Sequence, residues 1–155
     1  MAKKLTANSI KNLDKALNIK KTVNIKNEVN GDEYEVIVTT HLRKSAIEDV
    51  VMEYIEYLQE MNSRVIVNDK LIKDSMKLID TLTLKRFTNL PIPNEISLEE
   101  LISLTKTFGD IGLTEQIIKQ IPQAELDKIA VYLKEVSEKA ANLVVDSTSK
   151  NIINN

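Results

Sequence analysis

Residues 20–38, KKTVNIKNEVNGDEYEVIV, decide how the chain is read. Val23, Ile25 and Val29 alternate with polar residues, Asn30-Gly31 follows, and Tyr34, Val36 and Val38 alternate again. A side-chain period of two marks a strand with one buried face. Asn-Gly between two such runs is the strongest short-range hairpin signal, because a type I′ turn needs positive φ at both central residues. With Asn30-Gly31 as the loop, Val29 faces Asp32, Asn27 faces Tyr34, Ile25 faces Val36 and Val23 faces Val38. The apolar residues of both strands then share a face, and on the other face Lys26 lies opposite Glu35, although Glu28 opposes Glu33. A two-stranded hairpin is marginal alone, so this one must rest on a helix or on another chain. Its edges could accept a strand from a partner or merely cap the core.

Helical patterns surround the hairpin. Before it, Ile10, Leu13 and Leu17 predict a short helix over 8–18, capped by Asn8 or Ser9. After it, Ser45-Ala46-Ile47-Glu48 reads as a capping box. Ile47, Val50, Val51, Tyr54, Ile55, Leu58 and Met61 then trace one apolar face, expected to cover the hairpin. Val65-Ile66-Val67 reads as a short extended piece, and Asn68 or Asp69 caps a third helix running to about Phe87. Leu71, Ile72, Met76, Leu78, Ile79 and Leu82 give that helix a wide apolar face, as a central helix needs.

Pro91 and Pro93 make 88–96 an elbow, since proline removes a donor and fixes φ. Ser97-Leu98-Glu99-Glu100 is a second capping box, with Gly109 expected as the C′ residue of helix four. Thr114 is expected to cap a short helix carrying Ile117, Ile118 and Ile121, which Pro122 interrupts. From Gln123 to Val145, Leu126, Ile129, Leu133, Val136, Ala140 and Leu143 form a three-heptad seam. That seam packs either on the chain's own helices or on another protein or copy. The fold expected is therefore mainly α with a small antiparallel β-hairpin near the N-terminus (α+β), a multi-helix bundle. Residues 1–145 are expected to form one compact domain, with halves 1–90 and 97–145 meeting at a hinge over 88–96, and 146–155 a frayed tail.

Composition narrows the function. The 155 residues are 43% hydrophobic and 28% charged, enough apolar content to bury a core. Net charge is −2, and only Arg43, Arg64 and Arg86 offer the planar fork that grips phosphate, so nucleic-acid binding is not expected. A helix-turn-helix over helices four and five is disfavoured as well, since Thr114–Ile121 carries Lys119 as its one base. Cysteine is absent, which removes disulfides, thiolate catalysis and cysteine-built zinc sites. No apolar run approaches the ~20 residues that span a bilayer, and Met1–Thr6 does not read as a signal peptide; a cytoplasmic place is expected.

Catalytic, cofactor-binding and metal residues are all expected to be none. His41 is the one histidine and lacks a second His or Cys to complete a nucleophilic or metal site, so it reads as a rim or surface residue. Gly31, Gly109 and Gly112 do not cluster as a phosphate loop requires. Glu48-Asp49, Asp74-Asp80 and Glu99-Glu100 are the acid pairs to consider for acid–base work, but their helical positions mostly face water. A non-enzymatic, protein-binding role follows.

Several stretches together resemble one group of small tail assembly chaperones of Gram-positive bacteriophages. They are Met1–Leu17 (MAKKLTANSIKNLDKAL), the hairpin Val23–Val38, the helix from Leu42 (LRKSAIEDVVMEYIEYL), Leu82–Ile92 (LTLKRFTNLPI) and Ile102–Ile121 (ISLTKTFGDIGLTEQIIKQI). The resemblance is one of layout and phrasing and carries no catalytic motif. It implies a chaperone that binds the tape-measure protein in the host cytoplasm and helps recruit tail-tube subunits, with no nucleic acid, membrane or cofactor, and compatible with a homo-oligomer. A structural virion protein, such as a head–tail connector or tail-completion protein, is the alternative.

Overall fold

A computed structural model describes residues 1–64 and 69–153. Six helices and one hairpin follow in the order α1 (Ala7–Ala16), β1 (Lys20–Lys26), β2 (Glu33–Thr39), α2 (Lys44–Asn62), α3 (Asp69–Phe87), α4 (Leu98–Asp110), α5 (Leu113–Ile118) and α6 (Gln123–Ile153). The fold is mainly α with an antiparallel hairpin near the N-terminus, as expected.

The hairpin forms, but in a different register. Ile25 pairs with Tyr34, Val23 with Val36 and Lys21 with Val38, two residues away from the pairing expected. A slip of two keeps every side chain on its face, so Ile25, Val36 and Val38 are still the buried residues. The loop is Asn27–Asp32, not a type I′ turn, since Gly31 has φ +80° and no non-glycine residue among those described has positive φ. The reason lies in side-chain hydrogen bonds that the tight turn would forfeit. Asn27 Oδ1 accepts from the Val29 and Asn30 N–H groups at 2.8 and 3.4 Å, and Asn30 Oδ1 accepts from Asp32 N–H at 3.0 Å. The wider loop also replaces the Glu28–Glu33 opposition with Lys26 opposite Glu33.

Both hairpin edges are partly closed, at Lys26 on β1 and at Ile37 on β2. On β2, Asn89 Oδ1 accepts from Ile37 N–H at 2.8 Å while Asn89 N–H donates back to the Ile37 carbonyl at 3.2 Å. On β1, the Gln116 amide imitates a neighbouring strand: its Oε1 accepts from Lys26 N–H at 3.0 Å and its Nε2 donates to the Lys26 carbonyl at 2.8 Å. The stretch Lys20–Asn24 carries no hydrogen bond to an element other than β2 among the described residues, and lysines there suit an exposed edge.

One core joins the elements. Ile25, Val36 and Val38 of the hairpin, Val50, Val51 and Tyr54 of α2, Leu78 and Leu82 of α3, Leu101 of α4, Ile117 of α5 and Ile129 of α6 belong to a single cluster. Each fully buried aliphatic side chain contributes about 1.5–3 kcal/mol. α3 is the central helix, packing on α2, α4 and α5. Contrary to expectation, α2 turns its apolar face chiefly to α3 and α6, and the hairpin's main helical neighbour is α5. The elbow over 88–96 is stitched down: Lys85 Nζ donates to the Asn94 carbonyl at 2.7 Å and pairs with Glu53, and Tyr57 Oη donates to the Ile96 carbonyl at 2.6 Å.

Helix ends follow local chemistry, with corrections. The Ser97–Glu100 capping box is present. The Ser45 box is not: α2 starts two residues earlier, with Arg43 as N-cap and no side-chain cap. α1 is capped by Thr6, upstream of Asn8 and Ser9. Gly109 lies inside α4, and Gly112 takes the left-handed position after it at φ +74°, its N–H returning to the Gly109 carbonyl at 3.1 Å. Gly112, not Thr114, is also the N-cap of α5. α6 continues to Ile153, past Asp146, where the sequence reading ended the helix; no glycine or proline follows Pro122 to break the ladder. The extended piece Val65-Ile66-Val67, the Asn68 cap and the side chains of Leu71 and Leu143 lie outside the described residues.

Candidate functional site

α1 is the element that the core does not explain. Its capping box is complete, with Thr6 Oγ1 accepting from Ser9 N–H at 3.1 Å and Ser9 Oγ accepting from Thr6 N–H at 2.8 Å. Ile10, Leu13 and Leu17 align on one face, yet the helix buries no residue, and these three are 53%, 58% and 41% exposed. A lone helix of this length is unstable in water, so its attachment matters. Arg43 supplies it from the corner between β2 and α2, pairing Nη1 with Asp14 Oδ1 and donating Nη2 to the Asp14 carbonyl, both at 2.7 Å.

Between α1, this corner and the start of α6 lies an open groove of about 900 Å³. Buried Leu42 and Ile47 form its floor. Leu17 stands on the α1 side, and Ala124, Val131 and Tyr132 on the α6 side, with Val131 56% exposed. Lys44, Asp127, Lys128 and Glu135 give a rim of both charges. An apolar floor with a charged rim suits the face of an amphipathic helix.

Glu125 holds the groove together. It sits in the first turn of α6, where a carboxylate also opposes the helix dipole. One oxygen, Oε2, accepts from the N–H of buried Leu42 at 2.8 Å, and Lys128 Nζ donates to both oxygens at 2.9 and 2.8 Å. Burial acts to raise the Glu125 carboxyl, but Lys128, the Leu42 amide and the nearby His41 ring together outweigh it and hold the group below the usual glutamate range. His41 is therefore a partner of this anchor: its Nδ1 lies 3.5 Å from Glu125 Oε1 and its side chain is 31% exposed at the groove rim.

Three of the acids singled out in the sequence are paired with bases, whereas Asp80 has no ion pair among the described residues and burial raises its carboxyl above the usual aspartate range. Asp49 pairs with Arg86 at 3.3 Å, Asp74 with Lys106 at 3.3 Å and Glu99 with Arg64 at 2.5 Å, while Glu100 closes the α4 capping box. Among the described residues no group of three or more His, Asp or Glu could hold a metal ion. The seam faces inward over Leu126, Ile129, Leu133 and Val136, where α6 packs on α2. α5, the second helix of the disfavoured DNA-binding reading, buries Leu113 and Ile117 and commits Lys119 to Glu115 at 2.7 Å.

Two features of the groove were missed. Glu125 belonged to no motif, and its role depends on Leu42, far away in the chain. The other left a signal in composition: residues 1–26 hold seven lysines and one acid, net +6, against 14 bases and 22 acids in the rest, net −8.

The YomO family model matches residues 7–153. The chain belongs to the YomO family. This match takes in every element from α1 to α6, so both walls of the groove lie within the YomO unit. YomO is a phage-type family, and membership points to a phage origin. Neither a curated protein nor a solved structure matches the chain. No helix among the described residues is long and apolar enough to cross a membrane.

Proposed function

We propose that this YomO chain is a non-enzymatic phage tail assembly chaperone that binds helical segments of the tape-measure protein in the host cytoplasm and helps recruit tail-tube subunits. The observation that carries the reading is the open groove beside α1. A helix whose apolar face is bare and a trough with the floor Leu42–Ile47 provide two adjoining surfaces for a third helix. An extended helical client exposes apolar faces before assembly, and covering them prevents aggregation. Phage origin and the sequence resemblance support the same reading.

Co-expression with the tape-measure protein tests it. A soluble complex of fixed stoichiometry is expected, reduced by Val131→Glu. A tape-measure protein that stays insoluble or unbound ends the proposal. Mass spectrometry of purified virions is the companion measurement, and finding the chain in mature particles would instead favour a structural subunit.

A further inference from the structure

The chain carries a helix with no fully buried residue beside an open groove. We infer that a second copy of this chain is the groove's resident occupant: α1 of each copy lies in the groove of the other about a two-fold axis. Displacement of that occupant by a client rests on the proposed function, whereas the self-docking does not.

Charge is the first argument. The N-terminal 26 residues carry net +6 and the remainder net −8, so this end of one copy is drawn to the body of another. The groove lining holds Arg43, Lys44 and Lys128 beside Asp127 and Glu135, but Arg43 is committed to Asp14 and Lys128 to Glu125, so among the described residues the two acids there are opposed by Lys44 alone. Lys11 and Lys15 of α1 form no ion pair among the described residues, and neither do Asp127 and Glu135 on the α6 wall. Lys11 and Lys15 are one helical turn apart, and Asp127 and Glu135 about two turns apart, within reach of flexible lysine stems.

Apolar surface is the second argument. Seating α1 of the second copy covers the exposed Ile10, Leu13, Leu17 and Val131, over a floor of Leu42 and Ile47 that is already buried in a single copy. Leu5 and Ile19, 67% and 52% exposed, extend the stripe at either end of α1. A two-fold arrangement makes each contact twice from one set of residues. An anionic membrane is the other surface a basic amphipathic helix can meet, but here the complementary acids and the apolar floor are both in the same chain.

Sedimentation velocity of the full chain at about 0.05 M and about 0.5 M salt tests the inference, since screening weakens exposed charge pairs. A dimer at low salt that loosens at high salt is expected. Leu13→Glu should weaken it by about tenfold or more, because a buried contact becomes a charge. Measured at a concentration low enough for the wild type to be monomeric, its melting temperature should match the wild type's, since Leu13 is exposed and outside the core cluster. The pairs Lys11→Glu/Lys15→Glu and Asp127→Lys/Glu135→Lys should each weaken dimerisation, and all four changes in one chain should restore it. A chain that is monomeric at both salts overturns the inference, as does a dimer indifferent to Leu13→Glu and to the charge swaps. Flotation with phosphatidylglycerol vesicles by a chain that does not self-associate also overturns it, in favour of a membrane surface. Dimerisation as described without retention of tape-measure protein upholds self-docking and ends the chaperone reading.

Discussion

Replacing Glu125 by Ala should loosen α6 from the β2–α2 corner and so dismantle the groove floor. The Leu42 N–H, now bonded to Glu125 at 2.8 Å, would be left without a partner in a residue only 1% exposed. Losing a charge-assisted hydrogen bond and stranding that donor costs about 1.5–3 kcal/mol. The pair with Lys128, itself 45% exposed, adds at most about 1 kcal/mol. The expected total is about 1.5–4 kcal/mol, or roughly 3–16 °C in melting temperature for a domain of this size. Glu125→Gln keeps an acceptor for Leu42 and should cost about 1 kcal/mol. Urea denaturation with hydrogen exchange at the Leu42 amide measures both. Acid sharpens the test. The folded carboxyl lies below its unfolded value of about 4.3, so its stabilisation is complete above that value and is lost as pH falls through the folded one. The gap between wild type and Glu125→Gln should therefore narrow on acidification. An Ala variant within about 0.5 kcal/mol of wild type, with Leu42 exchange unchanged, would refute the anchoring role.

Three further outcomes are expected. Gly112→Ala should cost about 1–3 kcal/mol, because φ is +74° and the added Cβ meets the Glu28 carboxylate, whereas Gly109→Ala, with open space around it, should stabilise α4 by about 0.5–1 kcal/mol; thermal melts of the two variants decide which glycine ends the helix. Gln116→Ala should open the β1 edge and raise exchange at Lys26 N–H, with a loss of about 1–2 kcal/mol for two hydrogen bonds. Asn89→Ala should do the same on β2, read at the Ile37 amide.

Edge closure changes what the hairpin is for. A free hairpin invites strand addition, but Asn89 and Gln116 occupy the positions at Ile37 and Lys26 where an added strand would pair. The bare surface has moved to α1, whose apolar stripe has no counterpart in the core. Arg43 ties α1 to the corner through one side chain, so α1 can meet a partner without disturbing the core cluster.

Sequence alone determined what depends on near neighbours. The period of two at Val23, Ile25, Val36 and Val38 placed the strands and their buried face, and proline and the Ser97–Glu100 box marked where α4 begins. Such signals act over a few residues, where hydrogen bonding and side-chain alternation are set by the backbone itself. Tertiary structure decided the register, since the Asn27 and Asn30 side chains trade against cross-strand pairing that a two-residue slip leaves facially unchanged. It also decided which helix covers the hairpin and which glycine turns left-handed. Above all it decided the groove, because Glu125 meets Leu42 across 83 positions and Arg43 meets Asp14 across 29, and it closed the β1 edge, where Gln116 meets Lys26 across 90. Those contacts exist only once whole elements have docked, so no local pattern of residues records them.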